Sequence, residues 1–157
     1  MRLKRNIQTE LVVDLPLREA ILVQSDTSVS AAIERMREKQ LGCAVVVDVD
    51  GKLLGTFSER IVIDLVLQQP ENLTTLTVGD HMDQENFVVK TSDTICKVLD
   101  AIQNKAARFV CVVDDEGAVV GLTGQKGLSE YVAEHFPQQV MVQRVGGKPG
   151  MKKREGA

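Results

Sequence analysis

The sequence predicts a mixed α/β chain, of α+β type, made of two tandem β-α-β-β-α units related by a pseudo-twofold axis. Three observations lead there. Residues 23–65 match residues 89–131 without a gap at a constant offset, Gly51 recurring as Gly117 (117 − 51 = 66). Each copy carries an apolar stripe at helical spacing: Val29, Ala32, Ile33 and Met36, then Ile95, Val98, Leu99 and Ile102. Each stripe leads into two short apolar runs around an acidic turn with glycine, the pattern of a β-hairpin.

The elements follow in order. A first strand ends near Val23 and again near Val89, and Ser and Thr residues then offer N-caps to the striped helix. The hairpin strands are Cys43–Val47 with Leu53–Phe57, and Phe109–Val113 with Val119–Thr123. Their turns are Asp48-Val49-Asp50-Gly51 and Asp114-Asp115-Glu116-Gly117. These runs are continuous rather than alternating, which predicts sheets covered on both faces. A second helix carries Ile61, Val62, Leu65 and Val66 in the first copy. Leu128–Phe136, stopped by Pro137, is the version in the second copy. The division expected is a 1–14 extension, a first unit at 15–69, a linker at 70–77 marked by Pro70, and a second unit at 78–137. Residues 138–157 are expected to add an edge strand over Gln139–Val145 and then a disordered basic tail. One unit of about fifty residues would bury too little surface alone, so the two are expected to pack sheet to sheet.

Composition narrows the functional classes. The chain has 157 residues, and 43% of them are apolar, enough for a sizeable core. It has no Trp, one Tyr and four Phe, which leaves few rings on which bases could stack. With a net charge of -3, nucleic acid is not an expected partner, and the tail cations Arg144, Lys148, Lys152, Lys153 and Arg154 read as a solvated end. No run reaches the ~18 apolar residues of a membrane span, and no secretory signal opens the chain. Three cysteines without a CxxC pair fit reduced thiols in a cytoplasmic protein, not a disulfide scaffold or zinc site. His81 and His135 are isolated, so no metal is expected. No nucleophile has a base beside it, and an enzyme is not expected.

The repeated pattern V-V-D-x-x-G-x-x-x-G resembles tandem CBS domains of the stand-alone type, the pair called a Bateman module. The residues that carry it are Val46, Val47, Asp48, Gly51 and Gly55, then Val112, Val113, Asp114, Gly117 and Gly121. Gly55-Thr56-Phe57-Ser58-Glu59-Arg60 is similar to that family's turn into its last helix, and Val78–Met82 to its opening helix. The resemblance implies a regulatory module that binds an adenosine ligand, such as AMP, ADP, ATP or S-adenosylmethionine, between the units and needs no cofactor. It also implies a homodimer, and so short a chain is expected to signal to a separate effector protein. The family's ligand motif, G-x-x-T/S-x-x-D, uses helix-start N–H groups for phosphate and its carboxylate for ribose.

Here Gly55 and Ser58 keep the first part of that motif, but Ile61 stands at the carboxylate position. In the second copy Gly124 replaces the hydroxyl residue and Gly127 the acid. The candidate ligand residues are Gly55, Ser58, Glu59, Arg60 and Lys126. Ser58 reads equally as a helix N-cap. Arg60 and Lys126, equivalent in the repeat, read as phosphate-flanking cations or as solvated charges. A nucleotide is expected to prefer the cleft beside Ser58, with its phosphate near Arg60. The departures from the motif keep a second reading open, a ligand-free dimerisation scaffold.

Overall fold

The computed structural model describes residues 2–85 and 87–138. The strand expected at Gln139–Val145 and the basic tail lie outside these residues. The elements are α1 (Arg2–Thr9), β1 (Ile21–Val23), α2 (Val29–Lys39), β2 (Cys43–Val47), β3 (Leu53–Ser58) and α3 (Glu59–Gln68), then α4 (Val78–His81), β4 (Val88–Lys90), α5 (Ile95–Asn104), β5 (Val110–Val113), β6 (Val119–Thr123) and α6 (Gln125–His135). Short 3₁₀ turns occupy Val12–Asp14 and Pro70–Asn72.

Two three-stranded sheets form, ordered β1-β2-β3 and β4-β5-β6. In each, the first strand runs parallel and the third antiparallel to the centre. The register repeats with the sequence: Leu22 faces Val45 as Val88 faces Cys111, and Val45 faces Thr56 as Cys111 faces Leu122. Even the bulge recurs, at Val46/Val47 and Val112/Val113. The centre strands β2 and β5 are buried along their whole length, which is why their apolar runs do not alternate.

Helix ends follow local chemistry. The Ser28 hydroxyl accepts from Ala31 N–H at 3.2 Å and starts α2. α2 closes on Gln40 at φ 51°, and the equivalent Ala106 lies at φ 53°. Both are left-handed positions that an L side chain adopts only at a cost. α6 begins at Gln125, one turn earlier than the apolar stripe from Leu128 predicts, because Gly124 rather than a stripe residue sets its start.

The segment before each unit packs on the other unit. Val12 N–H donates to the Asp93 carbonyl at 2.8 Å and Val13 N–H to Thr91 at 3.1 Å. One repeat later, Val78 N–H donates to Thr27 and Gly79 N–H to Ser25, both at 2.9 Å. Ile95 N–H reaches back to Glu10, and Val29 N–H to Leu76, in the same relation. These two arms close the two cores. Val78 joins the cluster of Val29, Ala32, Val45 and Phe57, while Val12 and Leu15 join that of Ile95, Val98, Val110 and Tyr131. The Tyr131 hydroxyl donates to Glu10 of the arm. Cys111, Val113 and Leu122 from the second sheet pack into the first cluster, and the hairpin turns touch where Val119 N–H donates to Gly51 at 3.2 Å.

A Cβ at Gly79 would lie 2.7 Å from the Ser25 carbonyl oxygen, so Gly79→Ala should lower stability by about 2 kcal/mol. Gln40→Gly relieves a left-handed side chain and should raise it by about 0.5 kcal/mol. Urea unfolding checks both signs. Stability should also depend on pH. Burial, then the neighbouring Cys111, pushes the Cys43 thiol up to about 12, and burial pushes Cys111 up to about 11. Burial, then the bond to Glu10, raises Tyr131 to about 12. All three folded values exceed the unfolded ones, so their contribution is complete below pH ~9 and lost as pH rises toward 11–12. The urea midpoint should hold near neutrality and fall above pH 9, and Cys43→Ala/Cys111→Ala should flatten that fall.

Candidate functional site

Two clefts open at the junction of the units, each where the last strand of a unit runs into its last helix. One, of about 500 Å³, is walled by Ser58, Glu59, Arg60 and Ile61 from the β3–α3 junction and by Arg108 and Phe109 from the other unit. The other, of about 540 Å³, is walled by Thr123, Gly124, Lys126 and Gly127 from the β6–α6 junction and by Leu41 and Gly42 opposite. They are called here the Ser58 cleft and the Gly124 cleft.

The residues singled out from sequence separate into three places. Ser58, Glu59 and Arg60 line the Ser58 cleft. Lys126 lines the Gly124 cleft and sits 3.9 Å from Glu130, an exposed pair of little energetic weight. Gly55 lines neither. A Cβ there would lie 2.6 Å from Met82 Sδ and 2.9 Å from the Asp83 carbonyl, so Gly55 is the point where the second arm crosses the first sheet. Its neighbour Thr56 forms the bridge to Asp83, with N–H to O distances of 2.9 and 2.8 Å.

Ser58 holds the N-cap position of α3 in extended backbone, but its side chain makes no capping bond. The Glu59 N–H donates to the Gly42 carbonyl at 2.9 Å instead. That leaves the Ser58 hydroxyl at the cleft wall rather than tied to its own helix. The Glu59 carboxylate forms an ion pair with Arg108 of the other unit, and the Arg108 guanidinium lies 5.5 Å from the Phe109 ring centre. Both partners are well exposed, so this pair positions side chains more than it stabilises the fold. Ile61 is half-buried and offers no acceptor to a ribose.

Six charged lining residues, Arg18, Asp64, Asp83, Glu85, Arg108 and Glu130, escaped sequence reasoning. Arg108 lines both clefts, yet its equivalent in the first copy is Gly42, so the repeat comparison hides it. Arg18 enters the Gly124 cleft, and Asp83 and Glu85 enter the Ser58 cleft. Arg18, Asp83 and Glu85 ride on the exchanged arms, and no local pattern announces where an arm will dock. The clefts consequently differ in charge. Around Ser58, Glu59, Asp64, Asp83 and Glu85 outnumber Arg60 and Arg108. Around Gly124, Arg18, Arg108 and Lys126 outnumber Glu130. Among the described residues no group of His, Cys, Asp and Glu could hold a metal ion, and no helix is long and apolar enough to cross a membrane.

Known proteins resemble this arrangement. The CBS domain family matches twice, at residues 12–68 and 78–134. An uncharacterised protein of Methanopyrus kandleri is 26% identical over 67% of this chain, and inosine-5′-monophosphate dehydrogenase of Nitrosopumilus maritimus 25% over 68%. The chain spans 54% of the first relative's length and 21% of the second's. Among solved structures, a CBS domain-containing protein of Bacillus anthracis superposes with TM-score 0.74 at 22% identity, covering 84% of this chain and 99% of that one. CBSX2 in complex with AMP gives 0.69 at 25% identity, over 79% and 96%. A CBS domain pair in complex with 5′-methylthioadenosine and S-adenosyl-L-methionine gives 0.68 at 22%, over 79% and 96%. Two matches that together span most of the sequence, on two units that share one topology and one register, place this chain in the CBS domain family as a tandem pair, a Bateman module.

Proposed function

We propose that this pair is a non-catalytic regulatory module. It senses an adenosine-bearing ligand between its units and passes the bound state to a separate effector protein. AMP, ADP, ATP and S-adenosylmethionine are the candidate ligands. One observation carries the reading: two clefts of ligand size lie at repeat-equivalent strand-to-helix junctions, each walled by both units. A ligand held there touches both halves at once, so its binding energy depends on how the halves sit, which is what a sensor needs. Structures of the same fold hold AMP in one case and methylthioadenosine with S-adenosylmethionine in another, which supports the ligand class. The three unpaired cysteines support a reducing, cytoplasmic setting.

The module is further proposed to act as a homodimer. Ile63, Val66 and Leu67 are 59%, 44% and 77% exposed and fall at i, i+3 and i+4, so they form one apolar stripe on the outer side of α3. A twofold axis lets such a stripe cover itself in a second copy. The other reading, a ligand-free scaffold, is favoured by Ile61 and Gly127 at the two ribose positions.

Thermal melting separates the two readings. A ligand at a hundred times its dissociation constant should add ~2.7 kcal/mol and raise the melting temperature by several degrees. No shift with AMP, ADP, ATP, methylthioadenosine or S-adenosylmethionine would leave the scaffold. Sedimentation should show a dimer that Ile63→Glu/Leu67→Glu converts to monomer, and a wild-type monomer at high micromolar concentration would remove the dimer.

A further inference from the structure

We infer that the Gly124 cleft takes the phosphates of the ligand, that the Ser58 cleft rejects them, and that phosphate rather than ribose carries the affinity. This rests on the sensing reading above and assigns the ligand's chemistry to one of its two clefts.

The first ground is charge. Both clefts share Arg108, so their difference comes from the other side chains. Arg18 and Lys126 face a single carboxylate, Glu130, in the Gly124 cleft. In the Ser58 cleft Arg60 shares the wall with Glu59, Asp64, Asp83 and Glu85. A phosphate carrying two or more negative charges is drawn to the first field and repelled by the second.

The second ground is the start of the helix. α6 is 11 residues long, and the N–H groups of Gln125, Lys126 and Gly127 precede its first intrahelical donor, Leu128, which bonds to Gly124. In the other unit the corresponding first donor, Glu59 N–H, is already taken by the Gly42 carbonyl. Among the described residues Gln125 N–H has no such bond, and Gly124 adds no side chain that could cap it. The N–H groups of α6 therefore remain for an anion.

The third ground is an orphaned hydroxyl. Thr123 is 6% exposed, and its Oγ1 has no hydrogen-bond partner among the described residues. Thr123 lines the Gly124 cleft, and its Oγ1 lies 2.5 Å from where a Cβ on Gly127 would sit. A buried hydroxyl without a partner is uncommon and marks a place where a polar group is to be met. The Oγ1 is itself buried, and the absent side chain of Gly127 leaves the space beside it; the same glycine lacks the carboxylate that would hold a ribose. An aspartate at 127 would need its Cβ against Thr123 Oγ1 and 3.1 Å from the Pro16 carbonyl. The cleft has therefore exchanged a ribose clamp for a phosphate cradle. A ligand bound here is expected to be graded by its phosphates, with ATP and ADP above AMP, and AMP above adenosine.

The test is calorimetric titration of the intact chain with ATP, adenosine and inorganic pyrophosphate at low salt. Expected are ATP binding at least roughly tenfold tighter than adenosine, pyrophosphate competing with ATP, and a roughly tenfold loss of ATP affinity in Lys126→Gln and in Arg18→Gln. Arg60→Gln should lose far less. Thr123→Val, nearly equal in shape, should weaken ATP and leave adenosine unchanged. Lys97→Gln, on α5 outside both clefts, is the control. Circular dichroism establishes that each variant is folded. Equal affinity for ATP and adenosine would overturn the inference, as would a loss in Arg60→Gln exceeding that in Lys126→Gln. So would failure of both ATP and pyrophosphate to bind. In that last case binding of S-adenosylmethionine or adenosine would leave the sensing reading standing, and binding of nothing would remove both.

Discussion

Val12 and Val78 are both fully buried, yet each lies in the core of the unit that does not follow it in the chain. That crossing is the constraint on which the other features rest. A unit with a three-stranded sheet and two helices leaves apolar surface uncovered, and burying one valine is worth roughly 1.5–3 kcal/mol. Each arm supplies that valine together with backbone hydrogen bonds at repeat-equivalent positions. Glycine permits the close approach at Gly55 and Gly79, where any side chain would strike the arm or the turn after β1 on which the arm lies. With Cys111, Val113 and Leu122 packed into the first cluster as well, neither half owns a complete core.

The clefts are a consequence of the same crossing. Because the arms return across the opposite unit, they lay Arg18 beside one strand-to-helix junction and Asp83 and Glu85 beside the other. The repeat fixes where two equivalent openings stand, and the divergence of the arms makes them chemically different. Arg108 joins the two, since it lines both while pairing with Glu59 and lying over Phe109.

Much of this was legible in the sequence where the signal was local. The helix stripes, the acidic turns and the gapless offset foretold two equal sheets, and the unbroken apolar runs foretold that β2 and β5 are covered on both faces. What stayed hidden depended on distance along the chain. Val78–Met82 reads as the opening of the second unit, and nothing in those residues says that Val78 fills the first core. Gly55 reads as part of a ligand turn, whereas its lack of a side chain serves the passage of Met82 and Asp83. Arg60 and Lys126 read as a pair, but repeat equivalence puts them at two openings rather than one. Arg108 was missed because comparing copies finds what they share, and this residue is one they do not share.

Mutual completion of the cores requires that the halves unfold together. Tyr131 is the only tyrosine and sits in the second core, while Cys43 is buried in the first sheet, so each half carries its own probe. Urea unfolding of the Ile63→Glu/Leu67→Glu chain, in which the dimer stripe is disrupted, followed by Tyr131 fluorescence and by pulsed alkylation of Cys43, should give one shared midpoint. Alkylation of Cys43 at a urea concentration where Tyr131 still reports a folded environment, or the reverse, would contradict it: the halves would then be independent domains, and the crossed arms would not be what holds them closed.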